Sequence, residues 1–248
     1  MLFDTSTRPQ WWRWLPASLL WAAVALVAVR VGQPAWWSSL TGADVPAAVV
    51  AATGAAAFLA KVLTPAVRRL WLGGLIPGPV AGWLLDQRRA RWQAAGPQER
   101  VRIALAEPAQ PTWIGDRWSG WVTRVRHEYG LDLPSVWPRL WLVLPETVRV
   151  ELRRADEAFH GASRWGAWSL VFALTGLLWW PVIGLAVLIL VRAVQSGRAT
   201  AATVSDLGEA AVDLYALRVA RQLGLAVSGP VLAPDVAAQV NARCRKGA

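Results

Sequence analysis

The chain has 248 residues, a net charge of +10 and a hydrophobic content of 55%. That content is too apolar for an ordinary soluble domain, and the charge is too high for a chain made only of membrane spans. One cysteine and two histidines exclude an internal disulfide framework and a His/Cys zinc site within one chain.

A basic balance points to nucleic acid, to anionic lipid, or to the positive-inside bias of membrane proteins. Long apolar runs favour the last two. Only Lys61 and Lys246 are lysines; every other basic residue is arginine. The 18 tryptophans lie largely at the ends of apolar runs, where an amphipathic indole suits a membrane interface.

Residues 1–14 form a polar N-tail with Arg8, Arg13 and the cluster Trp11, Trp12 and Trp14. Leu15 to Val29 is apolar and Arg30 closes it. A basic residue where a cleavage site would stand argues for an uncleaved first transmembrane helix. The 31–44 loop has no Lys or Arg, and Trp36 and Trp37 suit an interface. A second apolar run follows from Val45 to Leu63, so residues 15–63 are expected to form a transmembrane hairpin. Ala48, Ala52, Ala56 and Ala60 recur every fourth residue, a smooth stripe that lets helices approach closely in lipid. Lys61, Arg68, Arg69, Arg88, Arg89 and Arg91 come after it. Against the uncharged loop, this contrast places the N-terminus in the cytoplasm of a multi-pass protein of the cell (inner) membrane.

Within residues 64–92, Leu70 to Leu85 carries Gly74, Gly78 and Gly82 with Pro77 and Pro79. Sixteen residues of helix reach only about 24 Å, short of a hydrocarbon core of about 30 Å. An interfacial or re-entrant segment is expected. Residues 93–165 are the polar, cytoplasmic helical region. Trp118, Trp121, Val122, Val125 and Tyr129 share one helical face, and Gly130 is a stop. Pro134, Pro138 and Pro145 are expected to break any long helix. Val148, Leu152, Ala155 and Phe159 mark another amphipathic helix that runs on toward the membrane.

Gly166 to Val191 is 26 residues without a charged side chain, with Trp179, Trp180 and Pro181 at its middle. One straight helix would be roughly 39 Å long and span with tilt. Basic residues on both flanks favour instead a membrane hairpin over 166–192 bent at Pro181. The 193–248 tail is expected to hold one helix, with Thr203 and Asp206 as a capping pair. Leu207, Ala211, Leu214 and Arg218 line one side of it and Gly224 ends it. Residues 226–248 read as a loose end with Cys244 incidental.

Catalytic constellations are absent. There is no GxxxxGK[ST] and no GxSxG, and Glu157 and His160 lack the second Glu-x-x-His pair of a di-iron bundle. No ionisable residue lies within 15–29, 45–60 or 166–191, which argues against a single-chain ion-coupled transporter. No cofactor, metal site or catalytic residue is assigned. Trp137-Pro138-Arg139-Leu140-Trp141 has the composition of an interaction hot spot, so Trp137, Arg139 and Trp141 are the candidate partner contacts.

Six blocks carry a resemblance: PTWIGD (111–116), YGLD (129–132), WPRLW (137–141), LPE (144–146), WWP (179–181) and LGEAAVDLYALRVARQLGL (207–225). On these the run from Pro111 to Leu225 resembles a group of uncharacterised, actinobacterial-like integral membrane proteins. In that group the first block more often reads PTRLGN, so Trp113 and Asp116 depart from it. The resemblance implies a membrane location and no assigned activity, so it carries no catalytic residues over.

The expected fold is all-α: a helical integral membrane protein with a small cytoplasmic helical region. The expected function is a non-enzymatic inner-membrane anchor or scaffold that presents this region to a cytoplasmic protein partner. Its membrane contact is with anionic lipids, which are more economical partners than nucleic acid. The alternative is an oligomeric pore or transport-complex subunit, with the alanine stripe and the GxxxGxxxG run of Gly74, Gly78 and Gly82 as the contacts in a homo-oligomer.

Overall fold

The computed structural model describes residues 18–20, 22–23, 44–96, 107–177, 180–227 and 229–245. The first expected span lies largely outside these residues, as do Trp11, Trp12, Trp14, Trp36, Trp37 and Trp179. The described chain is all-α. Its helices are α1 (Asp44–Trp71), α2 (Gly78–Ala94), α3 (Trp113–Tyr129), α4 (Leu133–Val143), α5 (Glu146–Gly176), α6 (Pro181–Gln222) and α7 (Pro234–Arg245).

The chain divides into two compact units, and α1, α5 and α6 each contribute to both. The first unit comprises residues 1–68 and 160–195. Its core is thin. Leu20 and Ala23, Ala60 of α1, Trp168, Val171 and Phe172 of α5, and Val182, Ala186 and Ile189 of α6 pack together. Ala60 is buried in this cluster and Ala56 packs partly against it, whereas Ala52 is exposed; Ala48 is helical. α5 ends at Gly176 and α6 begins at Pro181, with Leu177 and Trp180 as turn residues next to them. Pro181 opens α6, where its missing N–H costs no hydrogen bond. A Cβ on Gly176 would stand 2.5 Å from Ile183 Cγ1, so only glycine admits α6 this close. Large apolar side chains of this unit point outward, among them Phe58, Val62, Leu174, Leu177, Trp180 and Leu188.

The second unit comprises residues 69–159 and 196–248. α1 ends in a Schellman motif: Gly73 takes φ +86°, its N–H bonds Leu70 O, and Gly74 N–H bonds Arg69 O. The segment expected to be interfacial or re-entrant is thus divided between two helices. Residues 70–71 complete α1, and α2 starts at Gly78 with Pro77 as its N-cap. Both prolines fall at a helix start, where they remove nothing.

The EPAQPT run at 107–112, linker-like in sequence, is pinned. Asp116 Oδ1 accepts from the N–H groups of Ala109 (2.9 Å) and Gln110 (2.6 Å). Arg88 holds its other oxygen at 2.6 Å, and Arg89 donates to Pro108 O at 3.0 Å. Thr112 caps α3 by accepting from Gly115 N–H at 2.9 Å and donates to Trp71 O. A Cβ on Gly115 would lie 2.9 Å from Leu72 O, so this glycine sets how closely α3 meets the end of α1.

Four further expectations are corrected. Pro138 does not break α4, which runs through it. Thr203 caps nothing: α6 is one 42-residue helix, and the Thr203 hydroxyl donates to Ala199 O inside it. Leu214 is 73% exposed. The packed face of α6 lies instead along Ser205, Gly208, Ala211, Val212 and Ala216. The 226–248 segment contains α7, which buries Val236, Ala237, Val240 and Cys244 against α4 and the end of α6. That apolar spacing of three and four was present in the sequence, but it was short enough to pass for noise. Gly224, at φ +72°, ends α6 in a second Schellman motif and sends the chain back toward this core.

Asn241 locks α7 in place. Its Oδ1 accepts from Asp132 N–H at 2.9 Å and its Nδ2 donates to Gly130 O at 2.8 Å. Asn241→Ala leaves both backbone groups without this partner. The second unit is expected to lose about 1–3 kcal/mol, read as a lower denaturation midpoint; an unchanged midpoint contradicts the assignment.

Candidate functional site

The interface of α3 with α6 builds the site. Their contacts advance in the same direction along both helices, so the two run parallel. Arg117 pairs with Asp206, and Ser205 Oγ donates to Arg117 O at 2.9 Å. Arg124 forks onto Glu209, with Nε to Oε1 at 2.8 Å and Nη2 to Oε2 at 2.5 Å. Tyr129 OH donates to Asp213 Oδ1 at 3.0 Å. The three acids that precede the bases on α6 thus serve α3 rather than only their own helix dipole. Between the polar rungs, Trp121 lies on Gly208, where an added Cβ would meet the indole at 3.1 Å.

Trp121 starts an aromatic row. It meets Trp137 of α4 edge-on at 5.7 Å, and Trp137 meets Trp141 at 6.1 Å. One turn earlier on α3, Trp118 stacks on Phe159 of α5 at 5.4 Å. Trp118, Trp121, Trp137 and Trp141 line a cavity of about 550 Å³ with Val122, Leu133, Pro134, Pro138, Leu152, Val204 and Gly208. Three ionisable side chains, Arg153, Asp156 and Glu157 of α5, complete its edge. Arg153 and Arg149 both pair with Glu146. Trp121 Nε1 is buried without a hydrogen-bond partner. Buried donors are nearly always paired, so this one is an exception within the packed α3–α6 interface, closed off from the cavity.

Of the sequence candidates, Trp137 and Trp141 are half-buried and stand in this wall. Arg139 is not brought there: its guanidinium turns back on α4 and donates to Ser135 O at 2.7 Å. Trp118 and Trp121, read from sequence as sharing one helical face, also line the cavity. Asp156 and Glu157 had no signal linking them to Trp137. Glu157 and His160 are exposed. Among the described residues no group of three or more His, Cys, Asp or Glu could hold a metal ion. The lining suits an apolar body beside negative charge.

Two groups at the end of α3 have displaced ionisation. The Ser135 hydroxyl, and then Arg245 at 3.1 Å, hold the Asp132 carboxyl below its usual range against the opposing effect of burial. Burial first, then the Asp213 bond, push the Tyr129 phenol from 10.0 up to about 12. A phenol whose folded-state value is raised contributes stability that is fully present below the unfolded value. That contribution is lost as pH rises from 10.0 through about 12. With only two tyrosines in the chain, absorbance titration is expected to show a late ionisation near that pH. Tyr129→Phe should remove it and flatten the alkaline loss of stability, and a late phase that survives the substitution contradicts the assignment.

Comparison with family models, with curated proteins and with solved structures gives no match to this chain.

Proposed function

We propose that the protein is a non-enzymatic membrane anchor whose second unit receives a protein partner at the tryptophan-walled cavity. One observation carries the membrane part. Two helices are long and apolar enough to cross a bilayer, Val50–Trp71 and Pro181–Gln222, yet little of their most apolar stretches, 17% and 28%, is buried. A core helix of a soluble protein would be mostly buried. Side chains such as Phe58 at 69% and Leu188 at 65% exposure need a non-aqueous solvent, and lipid is the economical one. The 22 residues of Val50–Trp71 give about 33 Å of helix, enough for the hydrocarbon core.

Positive charge after α1 favours a multi-pass arrangement with the N-terminus in the cytoplasm. The close approach of Gly176 of α5 to Ile183 of α6 favours re-entry of α6 on the side from which α5 came. A C-terminal reporter is expected to be active only when it reads the cytoplasm; activity only outside the cell contradicts this topology.

The docking part rests on Trp137 and Trp141. Large aromatic side chains that are half-exposed in a concave wall are the typical anchors of an interface. Converting both to alanine is expected to abolish co-purification of the partner from the native host, while membrane fractionation stays unchanged. Undiminished capture rejects these contacts. The oligomeric-pore reading is the weaker one, because among the described residues the alanine stripe is divided between the core and the surface.

A further inference from the structure

We propose that the group accepted by the cavity is a basic side chain, arginine or lysine, presented by the partner on an apolar segment. This rests on the docking reading above and adds the chemistry of recognition. Four indoles wall the cavity, and an indole face is the best aromatic acceptor for an ammonium or guanidinium group. The edge carries two carboxylates, Asp156 and Glu157, against one guanidinium, Arg153, which is drawn to Glu146. A chain with a net charge of +10 thus places an acidic edge on this aromatic concavity, which selects against an anionic occupant and for a cation. The apolar walls suit the methylene stem of a long basic side chain. The same elements are a poor fit to a phosphate or carboxylate group, which would face both acids.

The test uses the full chain in an uncharged maltoside detergent, with nitrogen-labelled tryptophan indoles as the readout. The probes are blocked tripeptides, Leu-Arg-Leu, its citrulline analogue with a neutral urea in place of the guanidinium, and Leu-Glu-Leu. The arginine peptide is expected to saturate indole shifts, with the citrulline peptide roughly tenfold weaker and the glutamate peptide weaker still. Asp156→Asn with Glu157→Gln is expected to bring the arginine peptide down to the citrulline level. Unchanged citrulline binding by that variant reports that the cavity is still formed. Equal binding of arginine and citrulline peptides, tighter glutamate binding, no saturable binding, or an arginine preference that survives the double substitution each overturns the proposal. Partner capture by the Trp137→Ala, Trp141→Ala chain separates the two readings. Capture lost without an arginine preference keeps the docking site and rejects the cation. Undiminished capture rejects the docking site, and with it a partner side chain as occupant.

Discussion

The contact on which the second unit depends is an indole against a glycine. Trp121 lies flat on α6 because Gly208 has no side chain there, and that close approach brings three polar pairs of α3 and α6 into register. Arg124 and Glu209 form the strongest of these, since a forked guanidinium–carboxylate pair fixes two side chains in one geometry. The exposed Arg117–Asp206 pair adds less, because solvent screens it. With the α3–α6 distance set, Trp121 is held where Trp137 meets it edge-on, and the cavity follows from that row. The site is thus a consequence of packing. Tryptophans that fill a small core have one rim that the core is too thin to cover.

A second constraint is the set of charged groups around Asp116. A carboxylate that accepts two backbone N–H groups and faces Arg88 converts a proline-rich stretch into a fixed corner. The corner fixes the entry of α3, since Thr112 both caps that helix and reaches Trp71 O. Residues that look interchangeable with solvent in the sequence therefore carry the backbone geometry. Gly115 and Gly73 are the two points where a side chain or an ordinary φ would prevent it.

The first unit obeys a different rule. Its helices bury few side chains and expose many large apolar ones, the inverse of the second unit. Such a surface is stable only where the surroundings are apolar, which is the ground for the proposed membrane location. Small residues at Ala60, Gly176 and Ala186 sit at the helix contacts and permit close approach.

The sequence by itself determined the all-α class, the uncharged runs, the face of α3 and the glycine stops at Gly130 and Gly224. These depend on local periodicity and backbone freedom, which residue order encodes directly. It also singled out Trp137 and Trp141. Tertiary structure alone decided the rest. That α6 continues through Thr203 follows from packing on both sides of a weak capping signal, and that α7 is ordered follows from Asn241 meeting a corner more than 100 residues earlier. That Arg139 leaves the site while Asp156 and Glu157 enter it depends on which helix faces the tryptophans. Spacing along one chain fixes which residues share a face; which faces meet is set by side-chain volume across helices, and here the absence of a side chain at Gly208 decided it.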